Sequence, residues 1–198
     1  MKVSKKGEYT LRALIDLGIA AEVGRGLVQV SELAENEKIP IKFLEQIMQQ
    51  LKEANLVQSQ RGKFGGYRLA LPAKEIRIGT VVRLIDGPLA PIGCVSHTAY
   101  ERCSCPDEDH CGLRMLMLDV RNAIAGILDR YTLADVVEVT TRKMKRDGIP
   151  LPYSSARRGR SATTAVATQP ATIPAASRGR SLTPLEGILS NLMPDYTI

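Results

Sequence analysis

The 198-residue chain carries 27 Lys and Arg against 21 Asp and Glu, a net charge of +6, and has no Trp and only two Phe. It is long enough for one domain with a core, or a domain plus appendages, and the core must be built from Leu, Ile, Val, Ala and Met. No apolar run approaches the roughly 20 residues of a membrane span, and MKVSKKGEYT lacks the apolar centre of a secretory signal. A cytoplasmic, reducing location is therefore expected, and the positive charge permits a polyanionic partner without demanding one.

Residues 5–23 place Leu11, Leu14, Ile15, Leu17, Ile19 and Ala20 on a broad apolar face and predict a first helix, ended by Gly24 and Gly26. Val30 and Ser31 open a short second helix, with Ser31 expected as the N-cap of ELAENEK. Pro40 stands near the start of a third helix, where its fixed φ is tolerated. There Leu44, Ile47, Met48 and Leu51 form a stripe to be buried, opposite Lys42, Glu45, Gln46, Gln49 and Lys52.

LVQSQ (56–60) and GYRLAL (66–71) alternate as two short strands around the basic, glycine-rich tip RGKFGG. In most domains such a tip is a solvated turn. After three helices it reads as the wing of a winged helix-turn-helix, with the third helix entering the major groove and the wing reaching phosphates or the minor groove. Ile78, Val81, Val82 and Ile85 mark a fourth helix closed by Asp86-Gly87-Pro88. A long amphipathic helix from about Leu113 to Arg130 carries Leu116, Val120, Ile124, Ile127 and Leu128. Its stripe suits either packing within the domain or a dimer seam, and reading a palindromic site favours the seam. Thr132 is expected to cap a last helix, LADVVEVTTRKM, in a capping box with Asp135.

The fold is therefore expected to be mainly α with a small β-hairpin, a winged helix-turn-helix plus a long dimerisation helix. Residues 1–72 are assigned to DNA binding, 73–153 to sensor and dimerisation helices, and 154–198 to a tail. The tail holds five Arg against Glu186 and Asp195, half of the net charge, and residues 154–181 have the composition of a disordered linker. Thr183-Pro184-Leu185-Glu186, followed by Ile188, Leu189 and Leu192, predicts a short helix, either marginal and without a role or able to dock on a protein partner or fold back on this protein.

All four cysteines, Cys94, Cys103, Cys105 and Cys111, lie in the eighteen-residue window CVSHTAYERCSCPDEDHC. Thiols used as small core hydrophobes do not bunch in this way. Clustered thiolates suit an iron–sulfur cluster or tetrahedral zinc, and Cys103 and Cys105 alone would suit a redox pair. His97 and His110 lie in the same window and are the chain's only histidines. With no Gly-rich nucleotide loop, no HExxH and no nucleophile elbow, the sequence does not read as an enzyme.

KGEYTLRAL (6–14), FLEQIMQQLKEANLV (43–57), RGKFGGYRLA (61–70), IRIGTVVRLIDG (76–87), the cysteine loop and YTLADVV (131–137) together resemble the IscR/NsrR-type family of bacterial winged-helix regulators. Members of that family sense iron–sulfur status, nitric oxide, iron or redox state. The resemblance implies a homodimeric repressor on a partly palindromic double-stranded operator, controlled by a 2Fe–2S or 4Fe–4S cluster, with zinc as the alternative metal. It places Lys42, Phe43, Glu45 and Gln46 in the major groove and Arg61 and Lys63 at backbone or minor groove. It assigns Cys94, Cys105 and Cys111 as cluster ligands. Cys103 is surplus to the pattern, and Arg114 stands where some members have a ligand histidine. Glu8 matches a position from which others recruit a carboxylate across the dimer; its plainer role is a first-turn helix charge.

Overall fold

The first helix organises its own unit because its apolar residues face several neighbours at once. The computed structural model describes residues 2–62 and 64–154. It forms two units, Met1–Glu138 and Val139–Ile198.

In the first unit α1 spans Lys5–Glu22, and Ser4 caps it by accepting the Gly7 N–H. Ala13, Leu14, Leu17, Ile19 and Ala20 are all buried. Helix α2 spans Val30–Glu37 and α3 spans Ile41–Glu53. The expected stripe Leu44, Ile47, Met48 and Leu51 is fully buried, whereas Lys42, Glu45, Gln46, Gln49 and Lys52 are exposed. Strands β1 (Val57–Gln60) and β2 (Gly66–Leu69) pair antiparallel, with Val57 opposite Leu69 and Gln60 opposite Gly66. The architecture is thus mainly helical with a two-stranded hairpin, in the order expected of a winged helix-turn-helix.

One predicted cap is displaced. Ser31 sits inside α2, and Gln29 occupies the N-cap position without a side-chain capping hydrogen bond. The cause lies outside the helix: Val28 and Tyr67 exchange backbone hydrogen bonds of 3.0 and 2.8 Å, which hold the chain extended up to Gln29. The helix then starts at the next residue, ahead of the serine.

Helix α4 spans Ile78–Asp86, α5 spans Gly112–Arg130 and α6 spans Leu133–Arg146. Ile78, Val82 and Leu89 form a second core with Leu11, Ala125, Leu128, Tyr131 and Val136. The apolar residues of α5 divide between two faces: Leu128 packs into this core, while Leu116, Val120 and Ile127 are exposed. Arg83 of α4 clasps Asp129 of α5 through two hydrogen bonds of 2.7 and 2.6 Å. Asp86, at the end of α4, accepts from both the backbone N–H and the hydroxyl of Ser4.

The capping box at α6 is present in full. The Thr132 N–H and hydroxyl each donate to Asp135 at 2.7 Å, and the Asp135 N–H donates back to the Thr132 hydroxyl at 3.3 Å. The second unit is described up to Ser154. It takes in the last turns of α6 and a reversal at Asp147-Gly148, where the Ile149 N–H bonds the Met144 carbonyl at 2.9 Å. The predicted tail helix lies outside the described residues. Thr132→Ala should lower stability by about 1 kcal/mol, the usual worth of an N-cap. Urea unfolding followed by circular dichroism checks this, and an unchanged midpoint would refute the cap's contribution.

Candidate functional site

The exposed face of α3 lies beside α1. Lys42, Glu45, Gln46, Gln49 and Gln50 line a shallow depression of about 680 Å³ together with Lys6. A second depression of about 590 Å³ is bordered by Gln29 and Ser31, by Gln49 and Lys52 of α3, and by Arg61 and Tyr67 of the hairpin. Gln49 borders both, so the helix face and the wing form one continuous polar surface with few carboxylates. Lys63 lies outside the described residues. Phe43 departs from its neighbours on α3: its ring is half-buried and meets Tyr9 of α1 edge-on, at 5.9 Å between centroids. Arg12 stacks over the same Tyr9 ring at 5.4 Å and pairs with Glu37 of α2 at 2.8 Å. Phe43 therefore helps to set the start of α3 against α1.

Lys6 and Gln49 are additions to the residues expected from sequence. Gln49 was legible as part of the polar face. The neighbourhood of Lys6 arises only when α1 folds beside α3.

The cysteine window has its own architecture. Cys94 is buried in a short 3₁₀ turn, Gly93–Val95, while Cys103, Cys105 and Cys111 are half-buried. The Cys105 N–H donates to the Cys103 sulfur at 3.3 Å. The Cys105 thiol is pushed up to about 12, first by its hydrogen bond with Cys103 and then by burial and the neighbouring Cys111. Burial, and after it Cys103 and Glu108, raise the Cys94 thiol. Cys103 therefore lies near enough to act on both Cys94 and Cys105, and Cys111 near enough to act on Cys105.

Glu108 organises this loop, and sequence reasoning missed it. Its carboxylate accepts from the Tyr100 hydroxyl at 2.7 Å and from the Cys103 thiol at 3.8 Å. It also pairs with Arg114 of α5 at 3.3 Å, with its side chain only 16% exposed. The Tyr100 hydroxyl is the main cause that holds this carboxyl below its usual range. Arg114 in turn donates to the Cys94 carbonyl at 3.4 Å. Cys111 is the N-cap residue of α5, so the loop runs into that helix without a spacer.

The two histidines are engaged elsewhere. His110 pairs with Asp107 at 2.7 Å, and His97 meets the guanidinium of Arg121 at 2.7 Å. Arg121 is buried, and its Nε has no hydrogen-bond partner among the described residues. Glu8 stands in the first turn of α1, where it pairs with Lys5 at 2.7 Å and Arg12 at 3.5 Å. The Lys5 hydrogen bond is the first cause that holds its carboxyl below its usual range.

Thiolate donors match iron–sulfur clusters and zinc in kind, and these four are neighbours. Among the described residues no three Cys, His, Asp or Glu already surround one point, so loading would require the loop to draw its sulfurs together.

A profile for Rrf2, described as an iron-dependent transcriptional regulator, matches residues 3–139. The chain belongs to the Rrf2 family of transcriptional regulators. It is 31% identical over 140 residues to the regulator CymR of Bacillus subtilis, covering 71% of this chain and 92% of that one. It is 30% identical over 138 residues to the regulator IscR of Vibrio atlanticus, covering 70% and 76% respectively. The solved structure of CymR, the global cysteine regulator of B. subtilis, superposes with a TM-score of 0.60 at 29% identity, over 70% of this chain and 98% of that chain. T. potens IscR superposes with a TM-score of 0.55 at 30% identity, over 71% and 88%. This Rrf2-family chain is thus a helix-turn-helix regulator and not an enzyme. Among its described residues no helix is long and apolar enough to cross a membrane.

The hydrogen bond with Cys103 predicts a reactivity pattern. The raised pKa keeps Cys105 mainly in the neutral, slowly alkylated form near neutral pH. In metal-free, reduced protein at pH 9, Cys103→Ala should bring the value down and speed alkylation of Cys105 by roughly tenfold or more. Mass spectrometry of iodoacetamide adducts measures the rate, and an unchanged rate would contradict the assigned cause.

Proposed function

We propose that this chain is a DNA-binding repressor whose operator affinity is set by an iron–sulfur cluster held in the Cys94–Cys111 loop. The observation that carries the reading is the closeness of Cys103, Cys105 and Cys111 in a loop that ends at the N-cap of α5, in a family described as iron-dependent.

In this reading residues 1–72 bind DNA, residues 73–153 sense and dimerise, and the basic tail from 154 adds salt-sensitive attraction to phosphates. Lys42, Glu45 and Gln46 meet the major groove, with Phe43 bracing the helix. Glu45 accepts from cytosine N4 and Gln46 pairs with adenine. Arg61 and Lys63 hold backbone or minor groove. A second copy joins along the exposed residues of α5, where Leu116 is 56% and Ile127 48% exposed.

Cys94, Cys105 and Cys111 would hold the cluster, with Cys103 or Glu8 of the partner subunit as candidates for the remaining position. When bound, the cluster supplies a redox centre labile to oxygen or nitric oxide. This chain's own contacts then connect the loop to the DNA face. With the three sulfurs drawn to one centre, the start of α5 is fixed. With them released, Glu108–Arg114 is a remaining tether. From α5, Arg83–Asp129 leads to α4, Asp86–Ser4 leads to α1, and Tyr9–Phe43 leads to α3. Two states of the loop thereby bias two placements of α3.

A second reading, a metal-free thiol switch, is favoured by one contact, the 3.3 Å approach of Cys105 N–H to the Cys103 sulfur. A solved oxidised form of Staphylococcus aureus CymR, 31% identical with a TM-score of 0.56, belongs beside it. Anaerobic purification separates these readings: brown protein with acid-labile sulfide is expected for the cluster. Colourless protein with one zinc per chain, or with no metal and a reversible Cys103–Cys105 disulfide, would overturn it.

Glu45→Ala should relax preference for cytosine at one operator position and weaken binding by roughly 5- to 150-fold; unchanged base preference in operator selection would refute the base-reading role. Leu116→Glu should convert dimer to monomer in sedimentation at micromolar concentration, because a charge at an apolar seam is left unpaired. A dimer that persists would move the seam elsewhere.

A further inference from the structure

We infer that Phe64, at the tip of the wing, is a minor-groove wedge that inserts at a base step flanking the site read by α3. The inference rests on the DNA-binding reading above and assigns this residue a part in it.

The side chain is 85% exposed, the highest exposure among the large exposed hydrophobic residues of the described chain. The chain has two Phe and no Trp, and the other Phe is half-buried against Tyr9. An aromatic ring this exposed adds little to folding and offers apolar area to a partner.

The backbone beneath the ring is closely determined. Gln60 and Gly66 form the last pair of the hairpin, and the Gly65 N–H closes the tip on the Gly62 carbonyl at 2.9 Å. A Cβ at Gly65 would lie 2.2 Å from the Gln60 carbonyl oxygen, and one at Gly66 would lie 2.5 Å from the Val28 carbonyl oxygen. The backbone at Gly65 and Gly66, beside the aromatic residue, therefore leaves no room for a side chain.

Charge identifies the occupant. Arg61 and Lys63 precede the ring in sequence, and Arg61 and Lys52 border the cleft that joins the hairpin to α3. A cationic tip with one apolar ring suits the minor groove of DNA. There Arg and Lys hold phosphates while an apolar side chain unstacks a base step. Pyrimidine–purine steps yield most readily, so Phe64 would impose a preference for such a step at a position that α3 does not touch.

The test uses full-length protein and an operator selected by it from random DNA. At the step facing the wing, 2-aminopurine reports unstacking, and end-labelled duplex reports bending by energy transfer. Wild type should raise the 2-aminopurine signal and bend the duplex. Phe64→Ala should abolish both and weaken binding roughly ten- to hundredfold, the range for loss of one stacked base. Phe64→Leu, still an apolar wedge, should retain part of each. Replacing a TA step by AA should weaken wild type but not Phe64→Ala.

Equal affinity and equal signals for Phe64→Ala and wild type would overturn the wedge. So would weaker binding without loss of the 2-aminopurine signal, which would place the ring on sugars. Altered transcription with undiminished DNA binding would overturn it in favour of a protein contact. If wild type selects no operator at all, the DNA-binding reading fails first. Thermal midpoints of the variants should match wild type, which separates these outcomes from unfolding.

Discussion

Close packing around α1 is the constraint on which the rest of the first unit depends. Two glycines permit it. A Cβ at Gly7 would stand 2.5 Å from an Asp86 carboxylate oxygen, and one at Gly18 would stand 2.5 Å from a Val137 methyl. Helices α4 and α6 can therefore approach α1 from two directions while its leucines fill the space between them. Overfilling such a contact typically costs about 1–3 kcal/mol. Each Leu that α1 buries contributes about 1.5–3 kcal/mol. Since α3 also rests on this helix through Phe43 and Tyr9, a small displacement of α1 moves the exposed polar face of α3.

The two candidate sites differ in how charge is arranged. The α3–wing surface is open and amide-rich, with Lys6, Lys42, Lys52 and Arg61 around the Glu45 carboxylate. The cysteine loop is folded on itself: Glu108 gathers Tyr100, Cys103 and Arg114, and Asp107 holds His110. Arg121 lies buried with the imidazole of His97 as its hydrogen-bond partner. Arg114 of α5 thus stands beside a loop in which burial raises the Cys94 thiol and the hydrogen bond with Cys103 raises that of Cys105. Both effects favour the neutral form of these two thiols.

What could be read from the sequence is what local chemistry decides. Leu44, Ile47, Met48 and Leu51 repeat at helical spacing, and all four are buried. Thr132 and Asp135 carry their capping box within four residues. The hairpin follows from alternation around a glycine-rich tip. The Ser31 cap failed because a bridge to Tyr67, thirty-nine positions after Val28, holds the chain extended ahead of it. Phe43 was legible as a member of α3 but not as a partner of Tyr9, since that depends on how two helices cross. Glu108 was illegible for a related reason. An acidic residue in a loop without periodicity carries no mark of the three groups it will gather. The kind of chemistry at the cysteines was legible from their bunching, while the order of their neighbours required the folded loop.

The position of Cys111 as the N-cap of α5 has a consequence for which insertions the loop tolerates. The stretch between Cys94 and Cys103 is irregular, and an added residue there can be taken up as slack. Between Cys111 and Leu113 no slack exists, because the helix has already begun. One residue inserted there would turn everything downstream by about 100° and advance it by about 1.5 Å relative to the sulfur. Leu116, Val120 and Ile127 would leave their face, and Asp129 would leave Arg83. The last cysteine and the phase of the long helix are one quantity, and this region can change length only on the other side of the thiols.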